Sequence, residues 1–225
     1  MNKELQKTVK QALAEDIGVG DISSSLLGND YISAEVISRD RAIICGAEYF
    51  DLCFLSLDSD VEIEWKVEEG SEIVPGDVIC SLYGKSQAII TAERTALNFL
   101  QILSATATQT NYLVSLIAGT NAQLLDTRKT IPGLRKAQKY AVKCGGGLNH
   151  RMGLYDCIML KENHIMSIGS LEKSLEKALT KYPNKPIIVE VETLDQLRTA
   201  LSIKGIMRIL CDNFSTSELR EAVKL

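Results

Sequence analysis

The 225-residue sequence has no apolar run long enough to cross a membrane, and its first residues, Met1–Lys7, do not resemble a signal peptide. A membrane-spanning helix needs roughly 20 consecutive apolar residues, and a secretory signal needs a shorter apolar stretch behind a basic start. Apolar residues make up 45% of the chain and charged residues 24%, ordinary values that argue against general disorder. We therefore expect a folded, cytoplasmic protein that does not bind membranes.

Cysteine pairs of the C-x-x-C type are also absent, and the cysteine spacing suits neither a disulfide framework nor a zinc site. The six cysteines are Cys45, Cys53, Cys80, Cys144, Cys157 and Cys211. Most lie in apolar or strand-like surroundings, so we predict buried, reduced thiols. One conceivable metal site matches no familiar ligand spacing and is not favoured. Its members would be Cys144, His150, Cys157 and His164.

The net charge of −4 is unevenly distributed along the chain. The segment from Arg128 to Lys161 has eight basic residues and one acidic residue, Asp156, so it carries +7 and leaves −11 on the remainder. A basic block within an acidic protein predicts a local anion-binding site rather than a nucleic-acid surface. For four of the eight, a solvent-exposed basic helix face is the favoured interpretation. These are Arg135, Lys136, Lys139 and Lys143.

Residues up to about 85 predict a small α+β unit. Leu5, Val9 and Leu13 have the spacing of a buried helix face, and the alternation over 61–65 is typical of a half-buried strand. Further strands are predicted over 33–46 and 78–82. Helices are predicted over 4–15, 49–55 and 92–118, the last with a break near 104–106.

The remainder alternates short apolar runs with helical stretches, a pattern that predicts parallel βα units. The predicted strands are Leu124–Asp126, Ile158–Leu160, Ile187–Val191 and Ile209–Asp212, and the predicted helices lie near 132–143, 170–181, 193–202 and 216–224. We place the domain boundary so that the first domain covers 1–118, with the long connecting helix, and the second covers 119–225. Four strands cannot close a barrel, and they leave an unpaired apolar strand edge.

A charged residue ends, or directly follows, each of these predicted strands. The four are Asp126, Lys161, Glu190 and Asp212. Ligands of parallel sheets bind at the carboxyl ends of the strands, so we expect several basic side chains to converge there. They are Arg128, Lys129, His150, Arg151 and Lys161. Cations gathered in a cleft require anions, and the carboxylates of Glu190 and Asp212 suit Mg²⁺. The pattern predicts a phosphorylated or polycarboxylate ligand.

Three consecutive glycines, Gly145–Gly147, precede Asn149 and His150. Such a run does not favour the interior of a helix or strand. One interpretation is a loop with free backbone N–H groups or a close approach to ligand. The other is a plain tight turn.

Several stretches, taken in order, resemble the successive motifs of the quinolinate phosphoribosyltransferase family. They are Glu15–Asp21, Val74–Asp77, Glu93–Asn98, Asp126–Arg135, Gln138–Val142, Gly145–Arg151, Lys161–His164 and Asp212–Phe214. Together they extend over almost the whole chain. Members of the family have an N-terminal α+β sandwich and an α/β barrel, so the resemblance implies this fold, here with an incomplete barrel. They normally continue beyond residue 225 with further strands and a Ser-Gly-Gly phosphate loop.

The resemblance also implies a reaction and a set of roles. Phosphoribosyl pyrophosphate and quinolinate would give nicotinate mononucleotide, pyrophosphate and CO₂ in NAD biosynthesis, with Mg²⁺ as cofactor. The substrate-binding residues would be Arg94, Thr127, Arg128, Lys129, His150, Arg151 and Lys161. The catalytic residues would be Lys129, Lys161, Glu190 and Asp212, and the last two would also hold the metal.

The family further implies a homodimer or higher assembly with shared active sites, in which Arg94 reaches the neighbouring subunit. Two alternatives stay open. One is a paralogue associated with molybdenum transport. The other is a catalytically impaired relative that acts as a structural or regulatory subunit.

Overall fold

The computed structural model of the protein describes residues 3–28 and 30–225. The chain forms two compact units, which divide between His150 and Arg151. The first contains antiparallel sheets and long helices, and the second contains parallel strands alternating with helices, so the predicted mixed α/β fold class is confirmed. The domain boundary expected at 118/119 stays a prediction. In the described ranges, no helix has both the length and the apolar character needed to cross a bilayer.

The first unit has four helices and five strands in its described residues. The helices are α1 (Lys3–Ile17), α2 (Ala47–Leu55), α3 (Ser86–Leu116) and α4 (Arg135–Cys144), with a short 3-10 turn at Ser24–Leu26. The strands are β1 (Tyr31–Ile37), β2 (Ala42–Ile43), β3 (Glu62–Trp65), β4 (Glu72–Ile73) and β5 (Val78–Lys85). Helix α1 buries Leu5, Val9 and Leu13 in the main core, as their spacing predicts. Each such burial contributes roughly 1.5–3 kcal/mol.

Strand β5 is the centre of an antiparallel sheet with the order β1-β5-β3. Leu82 pairs with Ala34 on one side and Ile63 on the other, and the alternating burial of β1 and β3 confirms half-buried strands. The continuous strand predicted over 33–46 is wrong, because β1 ends at Ile37 and only β2 follows. A polar turn separates β1 from β2. Within this turn the Ser38 hydroxyl donates to the Asp40 carbonyl at 2.6 Å.

Helix α3 is continuous over 31 residues, so the break predicted near 104–106 is wrong. The hydroxyl of Ser104 accepts from the N–H of Cys45 at 2.9 Å and donates to its carbonyl at 3.2 Å. Thr108 likewise accepts from the N–H of Ile43 at 2.8 Å. Short polar side chains usually weaken a helix interior because they compete for its backbone. Here Ser104 directs its hydroxyl to Cys45, while the Thr108 hydroxyl also donates to the helix carbonyl of Ser104 at 2.7 Å, and the helix continues without a break.

The second unit contains one parallel sheet and four helices in its described residues. Its strands, in the order β6-β7-β8, are β6 (Ile158–Leu160), β7 (Ile187–Val191) and β8 (Arg208–Cys211). Its helices are α5 (Glu162–Ile168), α6 (Leu171–Lys181), α7 (Leu194–Ser202) and α8 (Thr216–Ala222). The three strands and the last three helices match the predicted ones closely. Helix α5 was not predicted, since its seven residues contain too few turns to show a period.

The strand predicted over Leu124–Asp126 is wrong. Leu125 makes one isolated parallel bridge with Leu148, and the N–H of Leu148 donates to the carbonyl of Leu124 at 2.8 Å. Both partners belong to the first unit, and neither extends into a ladder. Over residues 119–225 the structure therefore has three parallel strands, one fewer than the four predicted.

Candidate active site

Asp126 is the centre of a buried polar network in the first unit. Its carboxylate forms an ion pair with Lys139 of α4, and the two side chains are only 6% and 2% exposed. The same carboxylate accepts from the N–H of His150 at 2.8 Å and from the amide of Asn149 at 2.5 Å. Lys139 Nζ also donates to the carbonyl of His150 at 3.1 Å. The network therefore fixes the start of the segment 126–130 against α4 and against the residues after the glycine run.

The predicted solvent-exposed face of α4 is wrong for Lys139, which is 1% exposed as a whole residue. It is right for Lys136 and Lys143, both exposed, and Lys136 pairs with Glu4 at the surface. Buried lysines require a counter-charge, and Asp126 supplies it from 13 residues away in sequence. No local pattern distinguishes Lys139 from its exposed neighbours.

The basic segment after Asp126 is held by side chain to backbone hydrogen bonds. Lys129 donates its N–H to the hydroxyl of Thr127 at 3.0 Å. Arg135 donates to the carbonyl of Arg128 at 3.3 Å and to the hydroxyl of Thr130 at 3.2 Å. Arg128 is half-buried, whereas Thr127 and Lys129 are exposed. Arg135 thus fixes the backbone from which the Arg128 and Lys129 side chains project.

The glycine run is a tight packing turn, so the interpretation as a loop of free N–H groups is wrong. The N–H groups of Gly145, Gly146 and Gly147 donate to carbonyls of α4 at 2.9–3.0 Å. A Cβ at Gly145 would lie 2.3 Å from the Ala107 carbonyl oxygen, and Gly146 has a φ of +89°. Close backbone approach and a left-handed conformation are the two situations in which glycine is needed.

The second unit brings Lys161 and Glu190 together. Lys161 follows β6, Glu190 lies near the end of β7, and the parallel order places these strand ends at one edge of the sheet. Lys161 Nζ lies 3.2 Å from Glu190 Oε2, and the two side chains are 46% and 14% exposed. The lysine is therefore open to solvent, while its partner is mostly covered.

Asp212 follows β8 at the same edge of the sheet. Its N–H donates to the carbonyl of Val191 at 2.8 Å, and its carboxylate accepts from the Asn213 amide at 3.2 Å. Asn213 has a φ of +56°, uncommon outside glycine and best tolerated by asparagine. The chain thus turns sharply as soon as Asp212 leaves the sheet.

Arg151 begins the second unit and is half-buried. Asp156 lies five residues later and accepts from the N–H groups of Met152 and Gly153 at 2.6 and 3.0 Å. Burial acts to raise the pKa of Asp156, but these two hydrogen bonds and the charge of Arg151 outweigh it, and the pKa is lowered overall. Asp156 therefore stays ionised beside Arg151.

The predicted site residues are divided between the units. The first carries Arg94, Thr127, Arg128, Lys129 and His150, and the second carries Arg151, Lys161, Glu190 and Asp212. Arg94 is exposed on α3. The convergence of both sets on one pocket stays a prediction.

In the described residues, one group of three side chains could hold a metal ion. It is not the predicted site at Glu190 and Asp212. Ligand atoms of Cys45, Glu69 and Cys144 lie within 4.8 Å of one another. Glu190 and Asp212 belong to no such group over residues 3–28 and 30–225. Sequence reasoning missed this cluster because its members are separated by 24 and 75 positions.

Family models match both parts of the chain. The N-terminal domain of quinolinate phosphoribosyl transferase matches residues 21–104, and the C-terminal domain matches residues 106–225. The chain belongs to the quinolinate phosphoribosyltransferase family. The resemblance of its sequence motifs to this family is thereby confirmed.

Curated members of the family align with nearly the whole chain. The probable nicotinate-nucleotide pyrophosphorylase [carboxylating] of Bacillus subtilis is 39% identical over 224 residues, covering 99% of this chain and 77% of the relative. The nicotinate-nucleotide pyrophosphorylase [carboxylating] of Mycobacterium leprae is 35% identical, covering 96% and 78%.

Solved structures of the family share the fold. The nicotinate-nucleotide pyrophosphorylase of Francisella tularensis superposes with a TM-score of 0.96 at 44% identity, covering 100% of this chain and 80% of the other. NadC of Streptococcus pyogenes superposes with a TM-score of 0.94 at 34% identity, covering 98% and 79%.

Proposed function

We propose that this family member is a quinolinate phosphoribosyltransferase of the decarboxylating type, a pentosyltransferase of NAD biosynthesis. It transfers the phosphoribosyl group of phosphoribosyl pyrophosphate to quinolinate and releases nicotinate mononucleotide, pyrophosphate and CO₂. The observation that carries the proposal is the family match over both 21–104 and 106–225. A tobacco relative, 36% identical over 244 residues, is named quinolinate phosphoribosyltransferase [decarboxylating]. Neither alternative function is favoured by any feature of the described residues.

Both substrates are polyanions, and the basic side chains are assigned to them. Arg128, Arg151 and Lys161, with His150, bind the two carboxylates of quinolinate. An arginine fork suits a carboxylate because it donates two parallel hydrogen bonds. Lys129 and Lys161 bind the phosphoribosyl substrate, and Thr127 completes the binding set. The exposure of Lys129 and Lys161 supports these roles, since both ammonium groups are open to a ligand.

The reaction forms one bond at the ribose and later breaks one bond on the pyridine ring. The ring nitrogen attacks the anomeric carbon, and the carbon–oxygen bond to pyrophosphate breaks with its electron pair on the leaving group. The ribosyl centre gains positive character, which the Glu190 and Asp212 carboxylates stabilise. The bond from ring carbon 2 to its carboxylate then breaks, CO₂ leaves, and the remaining electron pair takes a proton.

Lys161 is suited to the decarboxylation because negative charge develops at ring carbon 2, where an adjacent cation stabilises it. Glu190 pairs with Lys161 before substrate arrives. A bound quinolinate carboxylate replaces Glu190 as the partner of the ammonium, and this exchange releases Glu190 towards the ribose.

Mg²⁺ is the proposed cofactor, held by Glu190 and Asp212. Two carboxylates at one sheet edge would suit a hard cation that binds oxygen. When bound, the ion neutralises charge on the departing pyrophosphate.

We place the protein in the cytoplasm as a homodimer or higher assembly with shared active sites. Arg94 is exposed on α3, which leaves it available to a neighbouring subunit. Mixed Arg94→Ala and Lys161→Ala proteins should regain partial activity, since one site in each heterodimer is intact. No recovery after proven subunit exchange would assign Arg94 to its own chain or to no site.

The test is turnover of quinolinate labelled in its 2-carboxylate, with phosphoribosyl pyrophosphate and Mg²⁺. We expect labelled CO₂, nicotinate mononucleotide and pyrophosphate in equal amounts. The Lys161→Ala variant should fold normally and show no turnover. A folded wild-type protein that forms none of the products at saturating substrates would refute the proposal.

A further inference from the structure

Two cysteines from distant parts of the first unit meet beside a glutamate. Cys45 immediately precedes the N-cap of α2, Cys144 is the last residue of α4, and Glu69 lies in the turn before β4. The two Sγ atoms and one carboxylate oxygen of Glu69 lie within 4.8 Å of one another. Cys45 is fully buried, Cys144 is half-buried and Glu69 is exposed. The cluster therefore extends from the core to the surface, which gives a small solute access to it.

Backbone contacts hold each of these residues in place. Both backbone groups of Cys45 are hydrogen-bonded to the Ser104 hydroxyl of α3. The Glu69 carboxylate accepts from the N–H of Gly46 at 2.7 Å and of Ala47 at 3.1 Å, so it caps the N-terminus of α2. Cys144 is followed by Gly145, whose N–H donates to α4 at 3.0 Å. The backbone of Cys45 and the carboxylate of Glu69 are thus held in place before any ion binds.

The cluster gathers groups that repel one another when ionised. Burial raises the pKa of the Cys45 thiol, and the Glu69 carboxylate and Cys144 raise it further. Burial also raises the pKa of Tyr140, with added contributions from the Cys144 thiol and Glu69. A bound cation requires the thiols to lose their protons, so its attraction for the thiolates must offset this cost. The raised pKa of Cys45 also makes it a poor nucleophile, which disfavours a redox role.

We propose that Cys45, Cys144 and Glu69 bind a divalent cation of the zinc class. Two thiolates and one carboxylate oxygen form a borderline-soft ligand set that suits Zn²⁺ and not Mg²⁺. A water molecule or the Tyr140 hydroxyl takes the fourth position. On binding, each thiol loses its proton to solvent and its sulfur donates an electron pair, with no change of oxidation state.

The geometry needs little adjustment for such an ion. Ligands at about 2.3 Å from a tetrahedral Zn²⁺ lie about 3.8 Å from one another. The ligand atoms lie within 4.8 Å of one another, so they must approach by about 1 Å or less to bind the ion. Side-chain rotation is enough for a movement of this size. The bound ion would join the end of α4 to the start of α2. These residues take no part in the proposed reaction, so the ion would have a structural role.

Cobalt(II) is a suitable probe, because thiolate ligands give it an intense near-ultraviolet absorption. The full chain, reduced and stripped of metal with a chelator, is titrated with Co²⁺ alone and then with Zn²⁺. We expect one tightly bound Co²⁺ per chain, a thiolate band, displacement by Zn²⁺ and a higher melting temperature with either ion. Cys144→Ser should weaken binding at least tenfold. Glu69→Gln should weaken it while preserving the thiolate band of the ion that binds.

Cys53→Ala is the matched control for Cys45→Ala. Both thiols are fully buried, and burial raises the pKa of Cys53 to about 12. Only Cys45→Ala should lose the cobalt band, and circular dichroism would verify that each variant is folded. The proposal fails if folded, reduced protein gives no thiolate band, or if Cys144→Ser binds Co²⁺ as tightly as wild type. A Cys45–Cys144 disulfide formed under mild oxidation in a protein that ignores Co²⁺ would also overturn it.

Discussion

Replacing Lys139 by methionine removes the cation from the buried pair with Asp126. Methionine fills a similar volume, so the main effect is an uncompensated carboxylate in a site where both side chains are almost fully covered. Breaking a buried pair from one side costs about 3–5 kcal/mol. Asp126 keeps the N–H of His150 and the amide of Asn149 as donors. We therefore expect the lower end, about 3 kcal/mol.

That loss is a large part of a typical stability of about 5–15 kcal/mol. For a chain of this size, it lowers the melting temperature by about 6–12 °C. Urea unfolding followed by tryptophan fluorescence measures the loss of unfolding free energy, because the single tryptophan, Trp65, lies in the first unit. The matched control is Lys136→Met on the same helix, where an exposed pair with Glu4 contributes no more than about 1 kcal/mol.

A double variant separates the charge effect from packing. Asp126→Asn alone leaves Lys139 as the buried charge, whereas Asp126→Asn with Lys139→Met leaves none. We expect the double variant to be about 2 kcal/mol more stable than the sum of the single effects predicts. If Lys139→Met unfolds at the same urea concentration as Lys136→Met, the pair is not a determinant of the fold.

Four further predictions concern the site, the glycine turn and pH. Arg128→Lys should raise the KM for quinolinate at least about tenfold, because an ammonium cannot make the bidentate contact; a change below twofold would make Arg128 a surface charge. Removal of divalent ions with a chelator should abolish turnover, and Mg²⁺ should restore it; activity that survives chelation would remove Mg²⁺ from the mechanism. Gly147→Ala should cost about 1–3 kcal/mol in urea unfolding, since its Cβ would meet Val142 Cγ1 at 2.8 Å; an unchanged midpoint would contradict the packing role. Burial raises the pKa of Asp51 against the lowering effect of its Trp65 hydrogen bond, so the charged form is disfavoured in the folded state. Asp51→Asn should therefore raise the melting temperature at pH 7, and the gain should vanish as the pH falls below about 4; a gain that persists at low pH would contradict this origin.

Periodic features were predictable from the sequence because burial follows them directly. The α1 face and strands β6, β7 and β8 lie close to where the apolar pattern placed them. Leu124–Asp126 carries the same pattern without a ladder, since a strand needs a partner and Leu148 supplies only one bridge. An apolar run therefore forms a ladder only where a neighbouring strand is available to pair with it.

Long-range polar contacts could not be predicted in this way. Lys139 is buried against Asp126, and Ser104 in the middle of α3 hydrogen-bonds to the backbone of Cys45. Neither partner is implied by the local sequence. Charge patterning alone suggested only an anion site. The roles proposed for Arg128, Lys161 and Glu190 came from the family motifs.

The turn at Gly145–Gly147 also has a consequence for dynamics. Glycine runs beside ligand sites are commonly hinges, whose ordering on binding costs conformational entropy. Here all three amide hydrogens are engaged by α4, so they should exchange with solvent only when the end of that helix opens. The ordering of this turn is completed during folding. His150, which we propose as a ligand-binding residue, follows this turn and therefore projects from a backbone that has little freedom left to lose.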